Sequence, residues 1–431
     1  MDWEIRKIDK PLKGGLSVPA DKSISHRAIM FSSIAKGVCR IENFLLGEDC
    51  LCTLNAFKRM GITIEISGNT VTVMGKGLKG LSAPKEPLNM GNSGTTIRII
   101  SGILAGQDFS AVLEGDESLS SRPMKRIMEP LGLMGTKVED IKGGKHAPLR
   151  ITGSAKPLKA IKYSLPVPSA QVKSCVLAAG LYADGITTVT EPFQSRDHTE
   201  RMLEYFSADI KRKGLSTEIN GLKELKARDI VVPGDISSAA FFLVGASILK
   251  GSDLTLKGVG LNPTRRGILD VLKRMNADIR IINEKGALEN AGDIIVKYSD
   301  LFSTTVEEDE IPFLIDEIPV LTVAAIMAKG TTVFKGIKEL KVKETDRVKT
   351  MIENLGRMGY PIREENNSLI IQGKQRKLNP VELDSFGDHR IAMSMAIAAL
   401  TTGGDCRIKN TSCVDTSYPG FLSDLKKLSN W

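Results

Sequence analysis

The stretch LNAFKRMGITIEISGNTVTVMG, residues 54–75, decides the fold. Its first half places apolar side chains at helical i, i+3, i+4 spacing. A small residue follows where a helix C-cap falls, and then strict alternation of apolar and polar side chains predicts strands. The pattern returns as IMEPLGLMGTKVED at 127–140, RMLEYFSADIKRKG at 201–214, ILDVLKRMNADIRIIN at 268–283 and MIENLGRMGYPIREENNSLIIQG at 351–373. The helix ends fall near 61, 135, 208, 277 and 359, a spacing of about 70–80 residues. Solenoid repeats usually span 20–50 residues, so a repeated unit of helices and strands is expected instead. A sixth copy, FLSDLKKL at 421–428, stops where its strand should begin. The N-terminal segment 5–18 is therefore expected to complete it. The expected result is two lobes of three units, 20–232 and 1–19 with 233–431.

Composition agrees with a folded chain. Of 431 residues, 42% are hydrophobic and 26% charged, near the globular average, while aromatics are only 5%. The core is thus expected to be aliphatic. The Ala-rich stretches 238–249 and 391–400 read as buried helices; neither reaches the ~18–20 apolar residues of a membrane span. The opening MDWEIRKID reads as neither an export nor an organelle signal, so a cytoplasmic location is expected. Six cysteines are scattered without a CxxC pair, as expected of reduced thiols.

Lys and Arg number 59 against 51 Asp and Glu, a net charge of +8, which favours anionic partners. The charges are dispersed singly, without a basic block or aromatic-studded track. Small anions are expected, not nucleic acid or a membrane. Several predicted helices open with a capping residue and a cation or amide in the first turn: DKSISHR (21–27), GNSGTTIR (91–98), SSRPMKR (120–126), PSAQVKS (168–174), RDHTER (196–201), GDISSAA (234–240), KETDR (343–347) and GDHR (387–390). Asp197 with Glu200 fits a capping box, and Pro123 fits a first helical position. Helix N-termini present free N–H groups and partial positive charge, so many of them gathered together would hold phosphates and carboxylates. P-loop spacing, HExxH and GxSxG are all missing, and the four His are not clustered; no metal is expected.

Six of these motifs in order, DKSISHR, GNSGTTIR, SSRPM, SAQVKS, KETDR and DHR, resemble the EPSP synthase family over essentially the whole chain. The resemblance implies an α/β (α+β) fold of two lobes, six repeated βαβαββ units, three per lobe, with the active-site cleft between lobes. It implies transfer of the enolpyruvyl group of phosphoenolpyruvate to the 5-hydroxyl of shikimate 3-phosphate, without a cofactor, by a monomer, in the shikimate pathway that leads to chorismate and the aromatic amino acids. Glyphosate is the implied inhibitor. By the same motif match, Asp316, Glu344 and Lys22 would be catalytic. Shikimate 3-phosphate would be bound by Lys22, Ser23, Arg27, Ser169, Gln171, Ser195, Asp316 and Lys343. Phosphoenolpyruvate would be bound by Lys22, Gly94, Arg122, Gln171, Arg347 and Arg390, with Asn92, Thr95 and Arg98 shaping the loop. His198, Glu339 and Thr416 depart from the pattern of the enteric-bacterial members and carry no assigned role. The alternatives are the sister enzyme acting on UDP-N-acetylglucosamine, whose loop Cys is missing from 117–123 here, and an RNA-processing relative of the same fold.

Overall fold

The computed structural model describes residues 1–7 and 10–429. The chain forms two compact units, Ala20–Val232 and Met1–Pro19 with Pro233–Trp431. Each unit holds three copies of one motif. A buried inner helix leads into a strand, then an outer amphipathic helix, then a hairpin. The inner helices are Lys22–Ser33, Gly94–Ala105 and Ala170–Gly180 in one unit, and Ile236–Ile248, Ile318–Met327 and His389–Ala399 in the other. Every residue of Ile236–Ile248 is buried, because its Ala, Phe, Leu and Ile side chains leave no polar face. No described helix is long and apolar enough to cross a membrane.

The outer helices end as their repeat pattern implies. Gly61, Gly135, Ser207, Asn276 and Gly359 follow them at the same place in five copies. All five have positive φ, between 66° and 93°, the left-handed conformation that stops a helix and turns the chain into a strand.

The sheets repeat one strand order. In Leu88–Asn89, Ser110–Glu114, Leu149–Thr152, Lys137–Asp140, a short parallel strand precedes the central one and a hairpin follows on its other side. The short strand comes from the linker after the previous copy. For the first copy it comes from Leu225–Lys226 and Ile230–Val231, at the far end of the same unit, which closes three copies into a ring. The other unit closes through the N-terminus. Trp3–Ile5 pairs antiparallel with Cys406–Lys409, completing the sixth copy, and Trp3 stacks on Phe421 with ring centroids 5.6 Å apart. The expected completing segment, 5–18, is thereby corrected: Lys13–Leu16 instead lies parallel to Asp253–Gly260 in the fourth copy's sheet.

Four copies share a constraint that the composition hid. Gly75, Gly153, Gly221 and Gly373 lie where the returning hairpin meets the end of its inner helix. A Cβ there would come within 2.0–2.3 Å of a backbone carbonyl. Two inner helices touch just as closely. A Cβ on Gly102 would lie 2.1 Å from the Cys175 carbonyl oxygen, whereas a Cβ on Gly132, in an outer helix, meets nothing within 4 Å. Gly102→Ala should therefore lower the urea midpoint strongly, by about 1–3 kcal/mol or more of stability. Gly132→Ala should leave it unchanged or raise it by about 0.4–1 kcal/mol. Equal effects would contradict this packing.

Candidate active site

In each unit the chemistry-bearing side chains gather around inner-helix N-termini, joined in one unit by Arg122, after the short helix Glu117–Ser121, and in the other by Arg347, which opens the outer helix Arg347–Arg357. In Ala20–Val232 the caps are Asp21, Ser93 and Ser169, each accepting a backbone N–H of its own first turn. Lys22 follows the first cap, and its ammonium donates to Asp49 Oδ2 at 3.0 Å. Arg27, one turn on and buried, donates from Nε to Thr199 Oγ1 (2.7 Å), from Nη1 to the Ser23 carbonyl (2.9 Å) and from Nη2 to Ser174 Oγ (3.0 Å). Gly94 opens the second helix, and two guanidiniums crowd it. A Cβ there would lie 2.6 Å from Arg98 Nη1 and 3.3 Å from Arg122 Nη1. Arg98 donates to Gln171 Oε1 at 2.6 Å, and Gln171 Nε2 donates to Thr95 Oγ1 at 3.1 Å, joining the second and third helices. Arg122 donates to the side chain and carbonyl of Asn92 and to Ser118 Oγ, while its own carbonyl accepts from His146 Nδ1 at 3.0 Å. Two cations beside a helix N-terminus make an anion site by charge and by free N–H groups together.

Behind these groups His26 is fully enclosed, its Nδ1 2.7 Å from Thr53 Oγ1. Burial first, then the charges of Lys22 and Arg27, hold its pKa well below the ordinary value. The ring is neutral and adds no further positive charge to this crowded end.

The other unit gathers carboxylates around a cation. Arg347, 1% exposed, donates from Nε to Asp388 Oδ2 (2.8 Å), from Nη1 to Asp316 Oδ1 (2.9 Å) and from Nη2 to Glu344 Oε2 (2.5 Å). Burial opposes its charge, but Asp388, Glu344 and Asp316 outweigh burial and raise its pKa. Asp316 also faces Arg390 Nε at 3.7 Å, Arg265 Nη1 at 3.8 Å and Lys343 Nζ at 3.9 Å. Four cations thus surround this one carboxylate. Asp388 caps the helix His389–Ala399 with its second oxygen, which accepts from Arg390 N at 2.8 Å.

A family model described as EPSP synthase (3-phosphoshikimate 1-carboxyvinyltransferase) matches residues 6–425. The chain belongs to the EPSP synthase family. The 3-phosphoshikimate 1-carboxyvinyltransferase of Geotalea daltonii is 51% identical over 427 residues, 99% of each chain. That of Brevibacillus brevis is 49% identical over 421 residues, covering 97% of this chain and 98% of its own. An EPSP synthase structure from Acinetobacter baumannii superposes with a TM-score of 0.89 at 46% identity, covering 99% of this chain and 98% of that one. The enolpyruvyl transferase NikO from Streptomyces tendae has a TM-score of 0.78 at 18% identity, covering 99% and 96%, which speaks for the fold alone.

Among EPSP synthase motifs, the structure brings Lys22, Ser23, Arg27, Gly94, Arg122, Ser169 and Gln171 to the helix N-termini of one unit. It brings Asp316, Lys343, Glu344, Arg347 and Arg390 together in the other. Ser195 is buried, and its hydroxyl donates to Glu191. Two expectations from helix starts are corrected. Asp197 makes no cap bond; it pairs with Arg201 at 2.8 Å and Arg212 at 3.0 Å, while Glu200 turns inward to Lys173. Pro123 lies before the helix Lys125–Leu133, whose N-cap is Met124. Of the departures, His198 is buried at a helix start, Glu339 lies in the short turn Ile337–Val342, and Thr416 donates to the Cys413 carbonyl. The sequence does not mark Asp49 or Arg265 as site residues, and it marks Asp388 only as the capping residue of GDHR. Asp49 reads as an ordinary first-turn acid, and the reach of Arg265 to Asp235 and Asp316 is a long-range contact.

A neutral buried His26 has a consequence for pH. The unfolded chain binds this proton near pH 6.5, whereas the folded chain does not until much lower pH, so stability falls as pH drops below about 6.5. Urea unfolding between pH 7 and 5.5 should show this slope. His26→Gln should reduce it by up to about 1.4 kcal/mol per pH unit. An unaltered slope would place the titration elsewhere.

Proposed function

We propose that this chain transfers the enolpyruvyl group of phosphoenolpyruvate to the 5-hydroxyl of shikimate 3-phosphate, giving 5-enolpyruvylshikimate 3-phosphate and inorganic phosphate. The observation that carries the reading is the pairing of Asp316 and Glu344 on the one guanidinium of Arg347. The reaction needs two proton-transfer groups held in fixed relation, among cations able to bind phosphate and carboxylate.

In the addition, Asp316 takes the 5-hydroxyl proton as the oxygen bonds to C2 of phosphoenolpyruvate, and Glu344, assisted by Lys22, gives a proton to C3. In the elimination, Glu344 takes a proton back from C3, the bond from C2 to the phosphate oxygen breaks, and phosphate departs with that electron pair and with the proton that Asp316 had taken. Shikimate 3-phosphate is bound by Lys22, Ser23, Arg27, Ser169, Gln171, Ser195, Asp316 and Lys343. Phosphoenolpyruvate is bound by Lys22, Gly94, Arg122, Gln171, Arg347 and Arg390. Of the three carboxylates on Arg347, Glu344 is the most exposed, 24% against 11% for Asp316 and 0% for Asp388. Glu344 is therefore the member of this set that a bound substrate reaches most readily, while Arg347 keeps it in fixed relation to Asp316. Glyphosate, carrying a phosphonate and a carboxylate, competes with phosphoenolpyruvate at Gly94. A cytoplasmic monomer is the proposed setting; burial raises the thiols of Cys39 and Cys413 to about 11, which suits cysteines that stay reduced.

Phosphate release from phosphoenolpyruvate tests the reading, with shikimate 3-phosphate or UDP-N-acetylglucosamine as acceptor. Turnover is expected only with the first; turnover only with the sugar nucleotide would overturn the proposal. Asp316→Ala should lower kcat by about 10²–10⁴-fold, with a smaller change in KM. A loss confined to KM would remove Asp316 from proton transfer.

A further inference from the structure

One buried cation has no part in the reaction above. Lys173, on the helix Ala170–Gly180, has a side chain only 2% exposed, and its ammonium lies 2.6 Å from Glu191 Oε2 and 2.7 Å from Glu200 Oε1. Both carboxylates are buried as well, at 5% and 2%. Burial opposes the charge on Lys173, but Glu200 and Glu191 outweigh it and raise the pKa. A buried ion cluster of this kind is seldom a net gain over apolar residues of the same volume, so its value lies in what it holds.

It holds the segments that carry the proposed shikimate 3-phosphate ligands. Glu191 accepts from the Ser195 backbone N–H at 3.4 Å and from the Ser195 hydroxyl. Ser174 and Thr199, the chain neighbours of Lys173 and Glu200, lie 2.6 Å apart, oxygen to oxygen, and both accept from the Arg27 guanidinium. Ser169 caps the helix that carries Lys173, and Gln171 sits in its first turn. One ammonium thus ties together the Ser195 segment, the helix His198–Tyr205, the helix Ala170–Gly180 and, through Ser174 and Thr199, Arg27.

We infer that Lys173, with Glu191 and Glu200, is a positioning network for shikimate 3-phosphate, an inference that rests on the function proposed above. Lys173 acts in two ways. It fixes the relative placement of Arg27 and Ser195. It also offsets the charge of Glu191, which would otherwise repel a phosphate and keep the Ser195 hydroxyl proton. With that charge offset, the hydroxyl can turn from Glu191 to the phosphate.

The test is steady-state kinetics with both substrates varied, beside thermal unfolding. Lys173→Met should raise KM for shikimate 3-phosphate on the order of tenfold or more, with KM for phosphoenolpyruvate within about twofold. Lys173→Arg, which can bridge both carboxylates, should recover most of the loss. If Lys173→Met does not fold, Lys173→Met with Glu200→Gln removes one stranded carboxylate, leaves Glu191 uncompensated, and should show the same selective rise. A lower unfolding temperature with unchanged KM for shikimate 3-phosphate, or equal rises in both KM values, would overturn the inference. Lack of wild-type turnover with shikimate 3-phosphate would overturn the proposed function, and this inference with it.

Discussion

The carboxylate-rich part of the site depends on a guanidinium that water does not reach. All three nitrogens of Arg347 are committed to carboxylates, one from the preceding turn, Glu344, and two from distant parts of the chain, 31 residues away for Asp316 and 41 for Asp388. Removing one partner of a buried pair typically costs about 3–5 kcal/mol, because the remaining charge is stranded. Asp388 binds Arg347 with one oxygen and caps its own helix with the other. The cap, the cation and the two proposed proton-transfer groups therefore move as one body. Three carboxylates on one cation leave an excess of negative charge, and Arg390, Arg265 and Lys343 around Asp316 offset it.

The unit Ala20–Val232 solves the opposite problem. Its helix N-termini and its Lys22, Arg27, Arg98 and Arg122 gather positive charge, suited to substrates that carry phosphate and carboxylate groups. Protein groups hold these cations in place: Asp49 on Lys22, hydroxyls on Arg27, an amide on Arg98 and an amide with a hydroxyl on Arg122. Neutral His26 spares the site one more charge. The threefold ring of copies makes this gathering possible, because each copy contributes the N-terminus of one inner helix to the same end of its unit.

Much of this was legible in the sequence, for local reasons. The repeated helix stop is a property of one residue, and Gly61, Gly135 and Gly359 announce it directly. The caps at Asp21, Ser93, Ser169, Asp235 and Asp388 are likewise local. What depended on partners far along the chain was not legible. The Asp197–Glu200 spacing imitates a capping box, yet Lys173, Arg201 and Arg212 claim both carboxylates. The completing strand was expected too far along the chain, since alternation cannot say that Trp3 will pair with Ile408 while Leu16 pairs with Leu256. The strand-end glycines answer to facing backbone carbonyls far along the chain, which no local pattern shows.

The central claim is that Asp316 and Glu344 work as a single unit through Arg347. A double-mutant cycle on kcat tests it most directly, using Asp316→Ala, Glu344→Ala and the double variant with phosphoenolpyruvate and shikimate 3-phosphate saturating. Groups that serve one transition state together are strongly non-additive. The account predicts that the double variant loses little more than the worse single variant. Losses that simply multiply would show the two carboxylates acting independently and would contradict it.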